Sequence, residues 1–348
     1  MDLTVDIEPT NRCNASCHFC PRDATPHQGL MTPDVFDQAL LRAIEFRDDV
    51  ASGFGWNMTV SLCGLGEPLL NKHAPTWVSQ VKQAGFPCVM SSNGALLNEK
   101  RGTALLEAGL DKILINIGDE GEEYERVYKL PFEKSRDNVA RFAEMAGDDC
   151  EVHIVLVDHR HDRDHLRRMV KYWQGYGLSK FVFFDVMNRG GALFVDHMQF
   201  DEYPELEQAR AILAERDSKP ACGAPFGYMF VGYDGKYYLC CSDWKKEVPM
   251  GTVFEASIVD VTSEKLQHVM DRRVVCATCN LDPLNRVTEG LRSAANGDEI
   301  DTDQLIDGVV SSNSVVWGML EQLEQHTTID YAAAERAAQR TRIPVKIL

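Results

Sequence analysis

The sequence lacks an excess of basic residues and any long hydrophobic run. It has 36 Lys and Arg against 53 Asp and Glu in 348 residues, a formal net charge of −17. Binding to nucleic acids and to anionic membranes needs positive charge, so we expect neither partner. The longest apolar runs have the length of a strand, as at Phe181 to Phe184, and the N-terminus carries no signal-like segment. We therefore predict a cytoplasmic protein.

Disorder and low complexity are excluded as well. The chain is 44% hydrophobic and 26% charged, with 25 Gly and 14 Pro. This composition can bury a sizeable core. Cytosolic proteins rarely contain disulfides. The 11 cysteines are therefore to be explained by metal binding, catalysis or burial.

Short β-type runs alternate with amphipathic helical stretches over residues 1 to about 200. Six β/α repeats, the last with a strand at Lys180–Asp185, predict an α/β fold with a parallel sheet in an open or partial (β/α)6 arrangement. In such folds the chemistry lies at the C-terminal ends of the strands. A linker is expected from Met187 to Pro220, and a small cysteine-bearing segment, Cys222 to Cys279, follows with a hairpin at Asp234-Gly235.

The tail after Leu281 is polar as far as Thr302. Apolar residues from Val315 to Leu323 predict one amphipathic helix, and the Ala-rich stretch Tyr331 to Ala338 predicts another. We therefore divide the chain into a barrel domain (1–200), an auxiliary domain (201–285) and a C-terminal helical extension (286–348).

Three cysteines lie within eight residues after the first predicted strand: Cys13, Cys17 and Cys20. Thiolates at this density select zinc or an iron-sulfur cluster. A structural zinc site needs four protein ligands, and His18 is a candidate for the fourth. Three thiolates on a 4Fe-4S cluster would leave one iron open to bind another molecule.

This loop resembles the C-x3-C-x2-C fingerprint of the radical S-adenosylmethionine (SAM) superfamily, which follows the first strand of a partial barrel. The resemblance covers about residues 3–190 and implies a 4Fe-4S cluster that binds SAM. Other segments resemble the family's SAM-binding motifs, although each by itself would be an ordinary turn or strand end. The residues implied to contact SAM are Phe19, Gly64, Gly66, Glu67, Ser92, Asn93 and Asn116.

Individual roles follow from the same resemblance. Phe19 is implied to pack beside the adenine, and Glu67 to accept hydrogen bonds from the methionyl ammonium. The glycines Gly64 and Gly66 are implied to let the backbone approach SAM. Asn116 departs from the family pattern, which usually has Ser at this position.

Four later cysteines resemble the auxiliary-cluster domain of radical SAM enzymes, called SPASM or, in its shortened form, twitch: Cys222, Cys240, Cys276 and Cys279. The resemblance implies one auxiliary 4Fe-4S cluster with four thiolate ligands, most like the short-form aminocyclitol dehydrogenases. Cys241 competes with Cys240, which its spacing from Gly235 favours. A zinc ribbon is the structural alternative.

The remaining cysteines at or beside predicted strands, Cys63, Cys88 and Cys150, are expected to pack as small apolar residues. Cys63 is also a candidate hydrogen-atom donor, as an epimerase would need.

Two strand-end loops supply candidate catalytic residues. Arg189 lies in Asn188-Arg189-Gly190-Gly191, a segment that resembles one common in the auxiliary-cluster group, and is expected to steer a substrate oxygen. Asp158 begins a charged loop and is the candidate general base. A loop salt bridge and a solvated loop are the respective alternatives.

The resemblance implies a radical SAM dehydrogenase or oxidase. Reductive cleavage of SAM would give a 5′-deoxyadenosyl radical that abstracts hydrogen from a small polar substrate such as an aminocyclitol or sugar. The auxiliary cluster would accept the electron of the substrate radical, and a flavodoxin- or ferredoxin-type protein would supply the reducing electron.

Three alternatives remain. A maturase that crosslinks or epimerises a ribosomal peptide ranks second, because the cysteine loop begins too early to leave room for an N-terminal peptide-recognition domain. A redox-neutral epimerase or decarboxylase is the third enzymatic possibility. A zinc-stabilised binding protein without catalysis belongs to a different class.

Overall fold

A computed structural model describes residues 2–22, 25–187, 202–272 and 274–324. Contacts divide the chain into two compact units. The first comprises Met1–Val186, Tyr228–Tyr238 and Thr252–Glu255. The second comprises Met187–Gly227, Leu239–Gly251 and Ala256–Leu348.

The first unit is built on a largely parallel sheet with the strand order β6-β5-β4-β3-β2-β1-β7-β8. Most of β9 belongs to the second unit. Strands from β6 through β1 to β7 pair in parallel, and β7 pairs with β8 antiparallel. The strands are β1 Asp2–Ile7, β2 Asn57–Leu62, β3 Cys88–Ser92, β4 Lys112–Asn116, β5 Glu151–Asp158, β6 Lys180–Asp185, β7 Tyr228–Val231, β8 Lys236–Tyr238 and β9 Pro249–Thr252.

Helices connect the parallel strands, so the six predicted β/α repeats are confirmed. The helices of the first unit are α1 Pro33–Asp49, α2 Ala74–Gln83, α3 Glu99–Glu107, α4 Gly121–Tyr128, α5 Phe132–Ala146 and α6 Arg163–Gln174. Those of the second unit are α7 Glu205–Glu215, α8 Ala224–Gly227, α9 Ile258–Met270, α10 Val274–Thr278, α11 Pro283–Ala295 and α12 Thr302–Glu324. No helix in the described part of the chain is long and apolar enough to cross a membrane.

The two faces of the parallel strands differ in chemistry. Ile7 of β1 and Val60 of β2 are fully buried on the face that contacts α1 and α2. Alternate residues point to the opposite face, where Asp6 lies in register with Ser61. Asp6 and Ser61 therefore place small polar groups on the face opposite Ile7 and Val60.

Six helices are not predicted by the sequence patterns: α4, α7, α8, α9, α10 and α11. Helix α7 lies within the stretch expected to be a linker, and α11 lies within the tail expected to be merely polar. Helix α7 has a narrow buried stripe, formed by Leu206, Ala209 and Leu213. Three buried positions in eleven residues give too weak a periodic signal.

The second unit has a helical core formed by α7, α11 and α12. The core residues are Leu206, Ala209, Leu213, Leu284, Val287, Ile306 and Val309. The predicted C-terminal helix is confirmed, but Val315, expected on its apolar face, is 61% exposed. The second predicted helix, Tyr331 to Ala338, lies outside the described residues.

The predicted hairpin forms as β7 and β8, and it belongs to the sheet of the first unit. Strand β7 pairs in parallel with β1, with Thr4 opposite Tyr228. The hairpin had been expected within the cysteine-bearing segment. The domain boundaries at 200 and 285 stay predictions.

Candidate functional site

The three-cysteine loop follows β1 and is anchored to helix α4. The Ser16 amide donates to the Tyr128 carbonyl oxygen at 3.1 Å, and the His18 amide donates to the Val127 carbonyl oxygen at 3.2 Å. Helix α4 therefore holds the loop through its last carbonyl groups, which have no partner within the helix.

The side chain of Arg22 closes the same loop. Its guanidinium donates to the carbonyl oxygens of Cys13 at 3.1 Å and Ala15 at 2.5 Å. Burial raises the pKa of the Cys13 thiol to about 11, and the positive charge of Arg22 opposes this shift. Burial also raises the pKa of Cys17, and the nearby Cys20 and Cys13 add to the effect. The three thiols thus lie close enough to disfavour one another's ionisation.

Glu67 lies at the centre of a buried hydrogen-bond network. Its side chain is 1% exposed and accepts hydrogen bonds from the Leu69 amide at 3.1 Å, the Ser92 hydroxyl at 3.0 Å and the Asn93 amide at 2.8 Å. Burial raises the pKa of the carboxyl group, and these hydrogen bonds act against that shift. The Glu67 amide donates to the Arg12 carbonyl oxygen at 2.9 Å, which ties the network to the cysteine loop.

Asn93 completes the connection to the cysteines. Its side-chain nitrogen lies 2.9 Å from the Asn14 side-chain oxygen and 3.8 Å from the Cys13 sulfur. The structure therefore brings Glu67, Ser92 and Asn93 together beside the loop. Their contacts with SAM stay predictions.

The glycines before Glu67 have a packing role. A Cβ atom on Gly64 would lie 2.5 Å from Glu8 Cγ. One on Gly66 would lie 2.3 Å from the Arg12 carbonyl oxygen and 2.5 Å from that of Thr10. Glycine is thus needed where this turn meets the start of the cysteine loop. The approach to SAM expected of these glycines stays a prediction.

A buried charged cluster, which the sequence patterns did not reveal, lies at the ends of β4 and β5. The Asp119 carboxylate is fully buried and lies 2.8 Å from His159 Nε2, 2.6 Å from Arg160 and 3.0 Å from His165 Nε2. Burial acts to raise the pKa of Asp119, but the hydrogen bond from His159 and the neighbouring positive charges hold it below its usual value. Both Asp119 and His159 follow strand ends, the one signal that could have identified them.

The remaining predicted site residues are Asp158, Asn116 and Arg189. Asp158 accepts a hydrogen bond from the Asp162 amide at 3.0 Å, so it closes its own loop. Asn116 donates to the Ser91 hydroxyl at 3.1 Å. Arg189 lies outside the described residues. The roles of Asp158 and Asn116 stay predictions.

The four later cysteines all belong to the second unit. Burial raises the pKa of Cys222 to about 12, with Cys279 adding to the shift. Burial also raises the pKa of Cys240 and Cys276, and both are affected by the nearby Cys222 and Cys279. Cys241 adds to the shifts of Cys222 and Cys240 as well, so it lies close to the predicted ligands.

Several of the predicted ligands accept a hydrogen bond from a backbone amide two residues further on. The donor and acceptor pairs, each 3.4 Å apart, are Ala15 and Cys13, Ser242 and Cys240, and Leu281 and Cys279. Such bonds favour the ionised form that binds a metal.

Both donor sets consist of thiols, which bind zinc as well as iron-sulfur clusters. Within the described residues, no group of three or more His, Cys, Asp or Glu side chains is arranged to hold one metal ion. A 4Fe-4S cluster does not need that convergence, because its thiolate ligands bind different irons. A bound metal would also deprotonate thiols whose pKa is otherwise raised.

Two protein families match successive parts of the chain. Residues 7–172 match the Radical SAM superfamily, and residues 222–280 match SPASM, an iron-sulfur cluster-binding domain. The chain therefore contains a radical SAM domain followed by a SPASM domain. A radical SAM domain binds a 4Fe-4S cluster and SAM. A SPASM domain binds auxiliary iron-sulfur clusters. The predicted cofactors are therefore confirmed.

Relatives of this radical SAM protein differ in their reactions. A GTP 3′,8-cyclase of Synechococcus sp. (strain CC9605) is 36% identical over 132 residues, 35% of this chain and 35% of that enzyme. An S-adenosyl-L-methionine-dependent 2-deoxy-scyllo-inosamine dehydrogenase of Niallia circulans is 23% identical over 265 residues, 74% of this chain and 80% of that enzyme. The chain thus spans only 35% of the cyclase's length, but most of the dehydrogenase.

Among solved structures, native anSMEcpe with bound AdoMet and the Cp18Cys peptide shares the fold. The TM-score is 0.58 at 13% identity, covering 89% of this chain and 99% of that one.

Proposed function

We propose that this radical SAM protein is an oxidoreductase that oxidises a carbon of a small polar substrate of the aminocyclitol or sugar class. The observation that carries the proposal is the match of residues 222–280 to an iron-sulfur cluster-binding domain, a stretch that holds four buried or half-buried cysteines of the second unit: Cys222, Cys240, Cys276 and Cys279. Four thiolates leave no open iron on an auxiliary cluster, which suits electron acceptance better than substrate binding. The 2-deoxy-scyllo-inosamine dehydrogenase supports the same class of reaction.

Specific residues would hold each group. We assign Cys13, Cys17 and Cys20 to the cluster that binds SAM. The auxiliary cluster is assigned to Cys222, Cys240, Cys276 and Cys279. When bound, SAM and these clusters supply one-electron chemistry and the 5′-deoxyadenosyl radical that removes a hydrogen atom.

Three further assignments belong to the proposal. Asp158 is the candidate base for a substrate hydroxyl proton, and Arg189 is the candidate for steering a substrate oxygen. The first electron comes from an external one-electron carrier of the flavodoxin or ferredoxin type.

The test begins with metal content. Anaerobic reconstitution should give about eight irons per chain, the sum of two 4Fe-4S clusters. Replacing Cys13, Cys17 and Cys20 together by Ala should remove about half of the iron and abolish formation of 5′-deoxyadenosine. The matched control is Cys88→Ala, because Cys88 is fully buried in β3 and should leave the iron content unchanged. Zinc in place of iron, with no 5′-deoxyadenosine, would end the proposal.

The substrate class is tested with deuterium. Aminocyclitols deuterated at each carbon are incubated with SAM, reductant and the reconstituted enzyme. Transfer of deuterium into 5′-deoxyadenosine together with a ketone product supports the oxidation. Deuterium transfer from a ribosomally made peptide instead would assign the protein to the maturases.

A redox-neutral reaction is the second candidate, favoured by one contact. The Cys63 thiol donates to the Asp6 carboxylate at 3.1 Å. A thiol at this position would be placed to return a hydrogen atom to a substrate radical. In heavy water such a reaction would place deuterium on the substrate carbon, and Cys63→Ser would stop that incorporation.

A further inference from the structure

We infer that His159 is a positioning residue, which fixes the three-cysteine loop by holding the ring of Phe19 in a plane set by Asp119. The inference rests on the proposed function, because the loop matters to catalysis only if its cysteines hold the cluster that binds SAM. His159 itself needs no contact with the reacting atoms.

Phe19, which directly precedes Cys20, is held between aromatic rings. Its ring stacks on that of His159, with centroids 5.3 Å apart and planes 22° apart. The Tyr128 ring packs edge-on against Phe19, with centroids 5.6 Å apart and planes 86° apart. The His18 ring contacts Phe19 and His159, with centroid distances of 5.3 Å and 4.7 Å. Such stacked and edge-to-face pairs restrict the orientation of a ring.

The Asp119 carboxylate fixes the orientation of the His159 ring. The His159 side chain is only 3% exposed, and Nε2 lies 2.8 Å from a carboxylate oxygen of the fully buried Asp119. A carboxylate bonded to one ring nitrogen fixes the plane of an imidazole. Arg160 lies 2.6 Å from the other carboxylate oxygen, so the buried charge is compensated.

This arrangement joins three strand ends within the first unit. The cysteine loop follows β1, Asp119 follows β4 and His159 follows β5. Several contacts therefore hold the loop: α4 and Arg22 hold its backbone, and Tyr128 and His159 pack on its Phe19 side chain. Loss of the His159 ring should loosen the Phe19 side chain and leave the backbone contacts.

Hydrogen exchange of the metal-free full-length protein tests this directly. His159→Gln keeps an N–H donor for Asp119 but removes the ring from Phe19. The matched control is His165→Gln: His165 Nε2 also lies 3.0 Å from Asp119, and no ring contact joins it to Phe19 among the described residues. We expect the amides of residues 13–22 to exchange about two- to tenfold faster in His159→Gln, the factor that corresponds to one lost ring pair. His165→Gln should match the wild type. Equal rates in wild type and His159→Gln, or equal acceleration in both variants, would overturn the inference.

A double-mutant cycle on the reconstituted enzyme gives the second readout. His159→Gln should raise the dissociation constant of SAM about two- to tenfold, with the rate of 5′-deoxyadenosine formation at saturating SAM unchanged. In a Phe19→Leu background the same change should have almost no further effect, because the ring pair is already lost. Additive effects of the two changes would count against the inference. Thermal unfolding of each variant identifies a general loss of fold.

Failure of the proposed function would look different. A wild-type protein that binds no SAM would refute the cluster assignment. The exchange experiment on the metal-free chain would still report whether His159 holds the loop.

Discussion

The side-chain nitrogen of Asn285 lies 2.8 Å from the carbonyl oxygen of Cys279. The same nitrogen lies 2.9 Å from the carbonyl oxygen of Cys276, and the Asn285 oxygen accepts a hydrogen bond from Arg272 at 2.6 Å. Asn285 is fully buried at the start of α11. One amide thus ties this helix to both cysteines of the Cys-x2-Cys turn.

Replacing Asn285 by Ala should release that turn. Buried carbonyl groups would lose their donor, at a cost of about 1–3 kcal/mol in the free energy of unfolding. The auxiliary cluster should be lost, which lowers the iron content by about half, while SAM cleavage by the other cluster persists. Iron and sulfide analysis with a thermal melt measures both effects. Asn296→Ala, an exposed residue just after the same helix, is the control and should keep all its iron. Full iron content in Asn285→Ala would contradict the prediction.

The choice between Cys240 and Cys241 can be decided by single substitutions. Cys240 is 8% exposed and its sulfur accepts a hydrogen bond from the Ser242 amide at 3.4 Å. Cys241 is half-buried and adjacent. Cys240→Ala should therefore lose about half of the iron, and Cys241→Ala should retain it. The opposite pattern of iron contents would assign Cys241 as the ligand.

Gly66 should tolerate no side chain. A Cβ atom would fall 2.3 Å from the Arg12 carbonyl oxygen, and that backbone segment leads directly into the cysteine loop. Gly66→Ala should destabilise the protein by about 1–3 kcal/mol or displace the loop. Chemical denaturation and cluster loading measure the two outcomes. Gly53→Ala is the matched control, because nothing lies within 4 Å of the Cβ it would add. Equal stability of the two variants would refute the packing role of Gly66.

The sequence predicted the repeats of the fold because strand periodicity depends on local apolar patterns. Strand β6 occurs over Lys180–Asp185, as predicted. The polar residues at strand ends, such as Ser92 and Asn116, could be located for the same reason. Helix α4 could not be, because only three of its eight residues are buried and the others are polar or charged.

Most of the support around the cysteines depends on contacts between distant segments. His159 meets Asp119 across 40 positions of the chain, and Phe19 is further still from both. Asn285 reaches back over the start of α11 to Cys276. No local spacing marks these residues, because the neighbouring sequence does not reveal which distant residue an Asn or a His will contact in the fold. The residues that support the cysteine segments were therefore not predictable from the sequence, and the ligand positions stay predictions.

An ion-pair cluster at the start of β5 should give part of the stability a dependence on pH. Glu151 lies 2.9 Å from His153, 3.1 Å from Lys180 and 3.5 Å from Lys112. Hydrogen bonds to His153 and Lys180, with the charge of Lys112, lower the pKa of Glu151 from 4.5 to about 2. A carboxyl group whose pKa is lowered by folding stabilises the protein above its unfolded pKa, and this contribution is lost as the pH falls through the folded pKa. Glu151→Gln should therefore melt at a lower temperature than the wild type at neutral pH, and the difference should shrink as the pH falls from about 4.5 to about 2. Because the side chain is exposed, high salt at neutral pH should reduce the same difference. Melting curves that differ by a constant amount across that pH range would show that Glu151 acts by some means other than its charge.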